Sequence, residues 1–368
     1  MNDNSLIVSE LNSNIIIKKD KLESIQVCRA IAFLSVLMLH RVPAWDLFFI
    51  FQYGKYGVML FFMVSGFIMV HLHCNGKLET PARFLKKRII RIYPVYWLSV
   101  IACVAIAIVC SMIDFTGWKP LQEIGATSWF ATFSLLPIGK VFLINHVTWS
   151  LIYEIWYYLM FAVLLRYMKE NFIIGVMMYG AAIIVVNSLF TLKGVIIFGL
   201  NLSMPLSTLN LFFVVGSMIG YLYTEKDKRY AKLAVLTLAA CFVAQVFLGW
   251  RETVNAEAAG LLTEFFLLSV SIAIIVGLLY AERVGVIMPK FLVYIGNMSY
   301  TLYLFHFILV LVYRGIFQLI FPNVYQYGAV EIATSYVFIF VVCWMIYEKA
   351  EKPMTERLRQ QFLKKNMH

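Results

Sequence analysis

Charged residues are scarce in this sequence: Asp, Glu, Lys and Arg together make up 14% of its 368 residues. A soluble domain carries about a quarter, so a water-facing globular body is excluded. Cysteine is sparse as well. The six thiols, Cys28, Cys74, Cys103, Cys110, Cys241 and Cys343, fall at no metal-ligand spacing and offer no exported pair for a disulfide. Missing too are an internal repeat, a low-complexity linker and a polar stretch long enough for a soluble domain. The first 22 residues contain no apolar run of signal-peptide length, so they read as a cytoplasmic tail.

What is present is apolar and aromatic. Hydrophobic residues reach 62%, with 30 Phe, 21 Tyr and 8 Trp, and the mean hydropathy is +0.81. A helix crossing the hydrocarbon needs about 20 mostly apolar residues. Ten segments qualify: 24–42, 53–72, 90–113, 149–168, 172–190, 208–223, 231–249, 260–281, 298–320 and 329–348. The 191–223 region, with Gly194, Gly199 and Pro205, is the least regular. The expected fold is therefore an all-α polytopic transmembrane helical bundle of about ten spans. Residues 1–22 form its N-terminal tail, 23–350 the membrane domain and 351–368 a basic C-terminal tail.

Orientation follows from the basic residues. The side holding both tails and the connections 73–90, 166–171, 224–232 and 282–297 carries 22 Lys and Arg, against 6 on the other. By the positive-inside rule both termini face the cytoplasm, which predicts a multi-pass protein of the cytoplasmic (inner) membrane. The net charge of +11 then reflects this bias and contact with anionic lipid, and gives no reason to invoke nucleic acid.

Ionisable groups inside spans cost several kcal/mol unless they face a wet or paired interior, so they carry the functional signal. In RAIAFLSVLMLH, residues 29–40, Arg29 and His40 are eleven positions apart on one helical face, about 16 Å along the axis. Snorkelling of Arg29 and a boundary role for His40 is the plain alternative. GVMLFFMVSGF, 57–67, sets Gly57, Ser65 and Gly66 in a bulky span, where small residues permit close helix approach or leave a channel. In RFLKKRIIRIYPVYW, 83–97, Arg88 and Arg91 share a face before Pro94, which breaks or kinks the helix. They make either an ordinary basic collar or a clamp for a polyanionic ligand. TWSLIYEIWYYL, 148–159, places Ser150, Glu154, Tyr157 and Tyr158 on one stripe, and a lone buried Glu favours function. GNMSYTLYLFHF, 296–307, aligns Ser299, Tyr303 and His306, with a hydrogen-bonded interior His306 as the alternative to a catalytic one.

Taken in order, these segments resemble the integral-membrane acyltransferase-3 family, which O-acylates extracytoplasmic glycans. The resemblance lies in R-x10-H (Arg29, His40), GVxLFFxxSGF (57–67), RxxRIYPxYW (88–97), WSLxxExxYY (149–158) and GNxSYxLYLFH (296–306). Each motif is weak alone; five in order are specific, and the likeness runs from about residue 24 to YEKAEKP at 347–353. The wording is most similar to the exopolysaccharide-production branch. The extra soluble domain of larger relatives is missing, so the chain resembles the minimal membrane form.

The resemblance implies acetyl-CoA, or another acyl-CoA, as a co-substrate on the cytoplasmic side, no permanently bound cofactor, and a sugar hydroxyl of a surface polysaccharide or lipid-linked glycan as acceptor. On that reading Arg88 and Arg91, with Arg29 and Tyr93, contact the donor. His40 serves as general base or, as a second option, as transient acyl carrier, and Glu154 orients the imidazole. Trp149, Ser150, Tyr93 and Asn297 are candidate donors to the thioester carbonyl; Ser299, Tyr300 and His306 line the site. A transporter or flippase of a lipid-linked sugar is the rival from another class; it predicts inverted repeats and broken helices, neither of which is found. A noncatalytic partner in polysaccharide assembly would need neither His40 nor Glu154. The acceptor's identity and homo-oligomerisation are left open by the sequence.

Overall fold

The computed structural model describes residues 22–41, 55–76, 80–112, 125–138, 143–190, 195–197, 200–224, 229–252, 258–321 and 328–363; for 39–41, 55, 127, 197, 200, 249–252, 258–264 and 329 it describes the backbone alone. The expected N-terminal tail, 1–22, lies outside these residues apart from Leu22.

Apolar runs of membrane length become helices because the backbone's polar groups must then be satisfied within the segment. The helices are α1 (Glu23–Arg41), α2 (Lys55–Cys74), α3 (Pro81–Met112), the short α4 (Ala126–Ser134), α5 (Trp149–Tyr167), α6 (Phe172–Leu189), α7 (Asn210–Thr224), α8 (Ala231–Glu252), α9 (Ala258–Arg283), α10 (Lys290–Ile320) and α11 (Ala329–Ile346). A π-helical turn, Tyr347–Glu351, leads into α12 (Lys352–Leu363). The irregular 191–209 region holds a two-stranded hairpin, Ile196–Ile197 with Leu200–Asn201.

Each of the ten expected segments contains a helix among the described residues, and the molecule is an all-α membrane bundle. Among the described residues, 8 helices are long and apolar enough to cross a membrane on their own. The other two expected positions are filled by α1, which carries Glu23 and Arg29, and by α7, with only 15 residues. Most of α7 is buried, so neighbouring helices cover it.

Two helices are longer than their apolar runs suggested. With 32 and 31 residues, α3 and α10 measure about 48 and 46 Å, well beyond a hydrocarbon core of roughly 30 Å. Arg88 and Arg91 thus sit on the body of α3, not in a loop. Of the break or kink expected at Pro94, the break does not occur: α3 runs through it, since neighbouring packing compensates one missing N–H in a long membrane helix.

The centre of the bundle is held by backbone contact between α2 and α7. A Cβ built on Gly216 would lie 1.9 Å from the Met63 carbonyl oxygen, and one on Gly66 2.1 Å from that of Phe213. Without a hydrophobic drive between helices in lipid, such close approach supplies the packing energy. Gly216→Ala is expected to destabilise the fold by about 1–3 kcal/mol, read as a lower thermal midpoint of the detergent-purified protein; an unchanged midpoint would contradict the interlock. In the same way Gly296 of α10 lies against the Gln26 backbone of α1.

The start of α1 is fixed by a carboxylate from α9. Glu282 accepts the backbone N–H groups of Glu23 and Ser24, at 2.8 and 3.1 Å, and also the Ser24 hydroxyl. These amides have no intrahelical partner, and a negative charge suits a helix N-terminus. Glu282→Ala should cost about 1–2 kcal/mol and expose the first turn of α1 to faster amide exchange, whereas protection equal to wild type would argue against the cap.

Candidate active site

Five helices, α1, α2, α3, α5 and α10, surround a small cavity of about 60 Å³. Its polar lining brings together Arg29, Ser65, Arg88, Arg91, Ser150 and Glu154, with Ser299, Tyr300 and Tyr303 from α10. Residues 150, 154 and 158 repeat every four positions, so α5 presents them as one stripe.

Glu154 is the anchor of this arrangement. Its Oε1 accepts hydrogen bonds from Ser65 Oγ at 2.9 Å and from the Tyr158 hydroxyl. Tyr158 in turn faces Arg88, whose guanidinium lies 5.4 Å from the ring centroid and 5.5 Å from that of Phe84. Arg88 is 8% exposed, and its Nε has no hydrogen-bond partner. Glu154 acts electrostatically on both Arg29 and Arg88. Glu154 therefore shares a low-dielectric interior with three guanidinium groups.

A second carboxylate approaches from the other side. The π-helical turn carries Glu351, which accepts a hydrogen bond from Thr301 Oγ1 of α10 and acts electrostatically on Arg29. One-turn π segments inside helices often mark functional sites because they re-aim a side chain. Sequence reading placed Glu351 at the edge of the tail and gave it no role.

Arg29, Arg88 and Arg91 also border a wider vestibule of about 530 Å³ on the other side of the arginine layer. The vestibule adds His71, Lys87 and Arg359, none of which was singled out from sequence. Part of the expected C-terminal tail is thus α12, and it lines a cavity.

Some expected site residues lie elsewhere. Tyr93, expected at the donor, does not line either cavity: its hydroxyl donates to the Ser134 carbonyl at 2.6 Å. Tyr96 donates to Thr132 at 2.5 Å and Trp97 Nε1 to Phe133 at 3.2 Å. The IYPVYW half of the motif is therefore a dock for the C-terminal carbonyls of α4, which have no intrahelical partners. Trp149 packs edge-on to Tyr153, and neither Trp149 nor Asn297 is among the cavity-lining residues. His306 is fully buried, with Nδ1 2.8 Å from the Tyr303 carbonyl of its own helix and its ring edge-on to Phe33.

Ser150, Ser299 and Tyr300 do line the cavity. Tyr303 donates to the Val147 carbonyl at 2.6 Å, which leaves Ser150 to donate to Tyr303 at 2.7 Å. Tyr300 donates to the Ile92 carbonyl, tying α10 to α3 beside Arg91. Ser299 Oγ is buried without a partner.

The backbone of His40 continues α1, but its side chain lies outside the described residues, and with it the expected contact to Glu154. Arg29, which shares the cavity with Glu154, is about 16 Å earlier along α1. Among the described residues, the partners of Glu154 are Ser65, Tyr158 and the arginines.

The model of the acyltransferase domain of the acyltransferase-3 type matches residues 22–348. The chain belongs to the acyltransferase-3 family. This membrane acyltransferase is also similar to the exopolysaccharide production protein ExoZ of Rhizobium meliloti (strain 1021), with 27% identity over 268 residues, covering 70% of this chain and 76% of the relative. No solved structure matches it. The matched span includes every side chain of the inner cavity, whereas Arg359 and Glu351 lie beyond it.

Proposed function

We propose that this acyltransferase moves an acyl group, acetyl in the simplest case, from cytoplasmic acyl-CoA to a hydroxyl of a bacterial surface polysaccharide or lipid-linked glycan at the inner membrane. The observation that carries the reading is the arginine layer between a wide basic vestibule and a narrow cavity holding Glu154. Coenzyme A pairs phosphates with a thioester at the end of a slender arm, and these two spaces suit those two parts. Arginine forks match phosphate oxygens in geometry and charge. The phosphates dock at Arg88, Arg91 and Arg29, and the arm passes between the helices.

Along α1 the arm runs from Arg29 towards His40. There His40 takes the proton of the acceptor hydroxyl as that oxygen attacks the thioester carbonyl; the C–S bond then breaks and the thiolate leaves with CoA. Glu154 keeps the arginines aimed by holding Tyr158 and Ser65. The resemblance to an exopolysaccharide production protein favours an exopolysaccharide as acceptor, with lipopolysaccharide as the nearest alternative.

The test is purified protein incubated with labelled acetyl-CoA and candidate glycans. Label on the sugar supports the enzyme; movement of unmodified sugar across a proteoliposome membrane would support a transporter instead. Arg88→Ala and Arg91→Ala should each raise the acetyl-CoA concentration for half-saturation about tenfold or more, the value of one charge-assisted phosphate contact. Unchanged donor saturation in both variants would contradict the clamp.

A further inference from the structure

A serine inside a helix can always donate its hydroxyl to the backbone carbonyl one turn back. Ser35, Ser111, Ser269 and Ser271 do so here, to Ile31, Ala107, Phe265 and Leu267. Ser299 of α10 does not. It is fully buried, its Oγ has no hydrogen-bond partner in the protein, and it lines the inner cavity of about 60 Å³.

Every other hydroxyl in the lining of that cavity is engaged. Ser65 and Tyr158 donate to Glu154, Tyr300 to the Ile92 carbonyl, Tyr303 to the Val147 carbonyl and Ser150 to Tyr303. A buried hydroxyl without a partner costs free energy, so the one left open marks a place for a ligand atom. Arg88 Nε, also buried without a partner, lines the same cavity. Ser299 and Arg88 both offer a hydrogen, so the group they fit is an acceptor. Size narrows the choice, because about 60 Å³ is roughly the liquid volume of two water molecules, too little for a sugar ring. The walls narrow it further: Val58, Phe61, Phe62 and Met69 are apolar, which suits a carbonyl flanked by methylenes better than a bare phosphate.

We propose that Ser299 binds the pantetheine arm of the donor, its hydroxyl donating to an amide carbonyl as the arm passes inward from the arginine layer. This rests on the acyl-CoA reading and deepens it, because it gives the arm a recognition point separate from the phosphates. The arm sets amides between short methylene runs, so one amide enters the small cavity while the methylenes meet its apolar walls. Arg88, which borders both spaces, serves both parts of the donor, phosphate on the vestibule side and arm on the inner side. An ordered water at Ser299 is the competing occupant.

The experiment measures equilibrium binding of CoA and of adenosine 3′,5′-bisphosphate, which has nucleotide phosphates but no arm, to the full chain in phosphatidylcholine nanodiscs, together with the thermal midpoint. Ser299→Ala is expected to weaken CoA about five- to tenfold, the worth of one neutral hydrogen bond, and to leave the bisphosphate bound as in wild type. Its thermal midpoint should not fall, since the hydroxyl bonds to nothing else in the protein. Arg88→Ala should weaken both ligands. CoA affinity that falls in Arg88→Ala yet is unchanged in Ser299→Ala leaves Ser299 to a bound water; it overturns the inference and keeps the donor reading. Equal loss for CoA and the bisphosphate, or a lowered midpoint, assigns Ser299 to the phosphate clamp or to the fold and overturns it as well. No CoA binding by wild type overturns both readings.

Discussion

Glu154→Gln is expected to reduce acyl transfer by about two to three orders of magnitude while leaving protein level and membrane insertion intact. Glutamine keeps the size of the side chain and removes its charge. Three arginines, Arg29, Arg88 and Arg91, share the cavity with this carboxylate, and removing one partner of a buried charge cluster costs about 3–5 kcal/mol. At about 1.4 kcal/mol per factor of ten, that free energy corresponds to the stated loss when it falls on the reactive complex. The amide could also turn its NH₂ toward Ser65 or Tyr158, both of which donate to Glu154, so one of those hydrogen bonds would be lost. Tyr158→Phe provides the companion measurement: it leaves the charge and removes one donor, so its loss should be much smaller. Labelled acetyl transfer to polysaccharide reads both variants, and near-normal transfer by Glu154→Gln would remove Glu154 from the mechanism.

His40→Ala is expected to lower transfer by about 10²–10⁴, the range supplied by a positioned general base, without weakening CoA binding. The separation of effects follows from geometry. His40 lies eleven residues beyond Arg29 on α1, about 16 Å along the helix, so in the proposed mechanism donor docking and proton removal occupy different levels of one helix. A sugar hydroxyl is a poor nucleophile at neutral pH, and imidazole is the side chain whose ordinary pKa suits the task. Parallel measurement of CoA affinity and of label on the sugar distinguishes the roles. Reduced CoA affinity with unaltered turnover at saturation would make His40 a binding residue, and full activity would dismiss it.

These two variants also separate two tasks that the sequence motifs suggested were one. Reading R-x10-H and WSLxxExxYY together led to a His40–Glu154 pair. Among the described residues Glu154 has the company of Ser65, Tyr158 and the arginines; the side chain of His40, and with it the expected pair, lies outside them.

Much was legible in one dimension. The cost of a charge in hydrocarbon applies residue by residue, so Arg29, Arg88, Arg91 and Glu154 stood out from their neighbours, and the structure gathers all four around one cavity. Helix positions were legible for the same local reason: about twenty apolar residues in a row must satisfy their own backbone. Periodicity also placed Ser150, Glu154 and Tyr158 on one face, but it put Tyr157 there as well, whose hydroxyl instead meets Ser217 of α7 away from the cavity. Local pattern was silent where a side chain's partner belongs to a distant helix. Tyr93 looked like a site residue because it adjoins Arg91 in the chain, but its hydroxyl meets a carbonyl of α4. His306 carried a functional group on a promising stripe, yet its face of α10 turns into the core against Phe33.

The sequence by itself determined the class, the helices and the short list of intramembrane charges, because hydropathy, helical period and charge cost are properties of a residue and its near neighbours. Only the tertiary structure decided which charges meet. The relative height and rotation of helices are set by contacts such as Gly216 on Met63 and Gly296 on Gln26, between residues more than a hundred positions apart. Those contacts bring Ser65 to Glu154, Glu351 towards Arg29, and Arg359 from the chain's end to the vestibule, where electrostatics over a few ångströms does the selecting that sequence distance conceals.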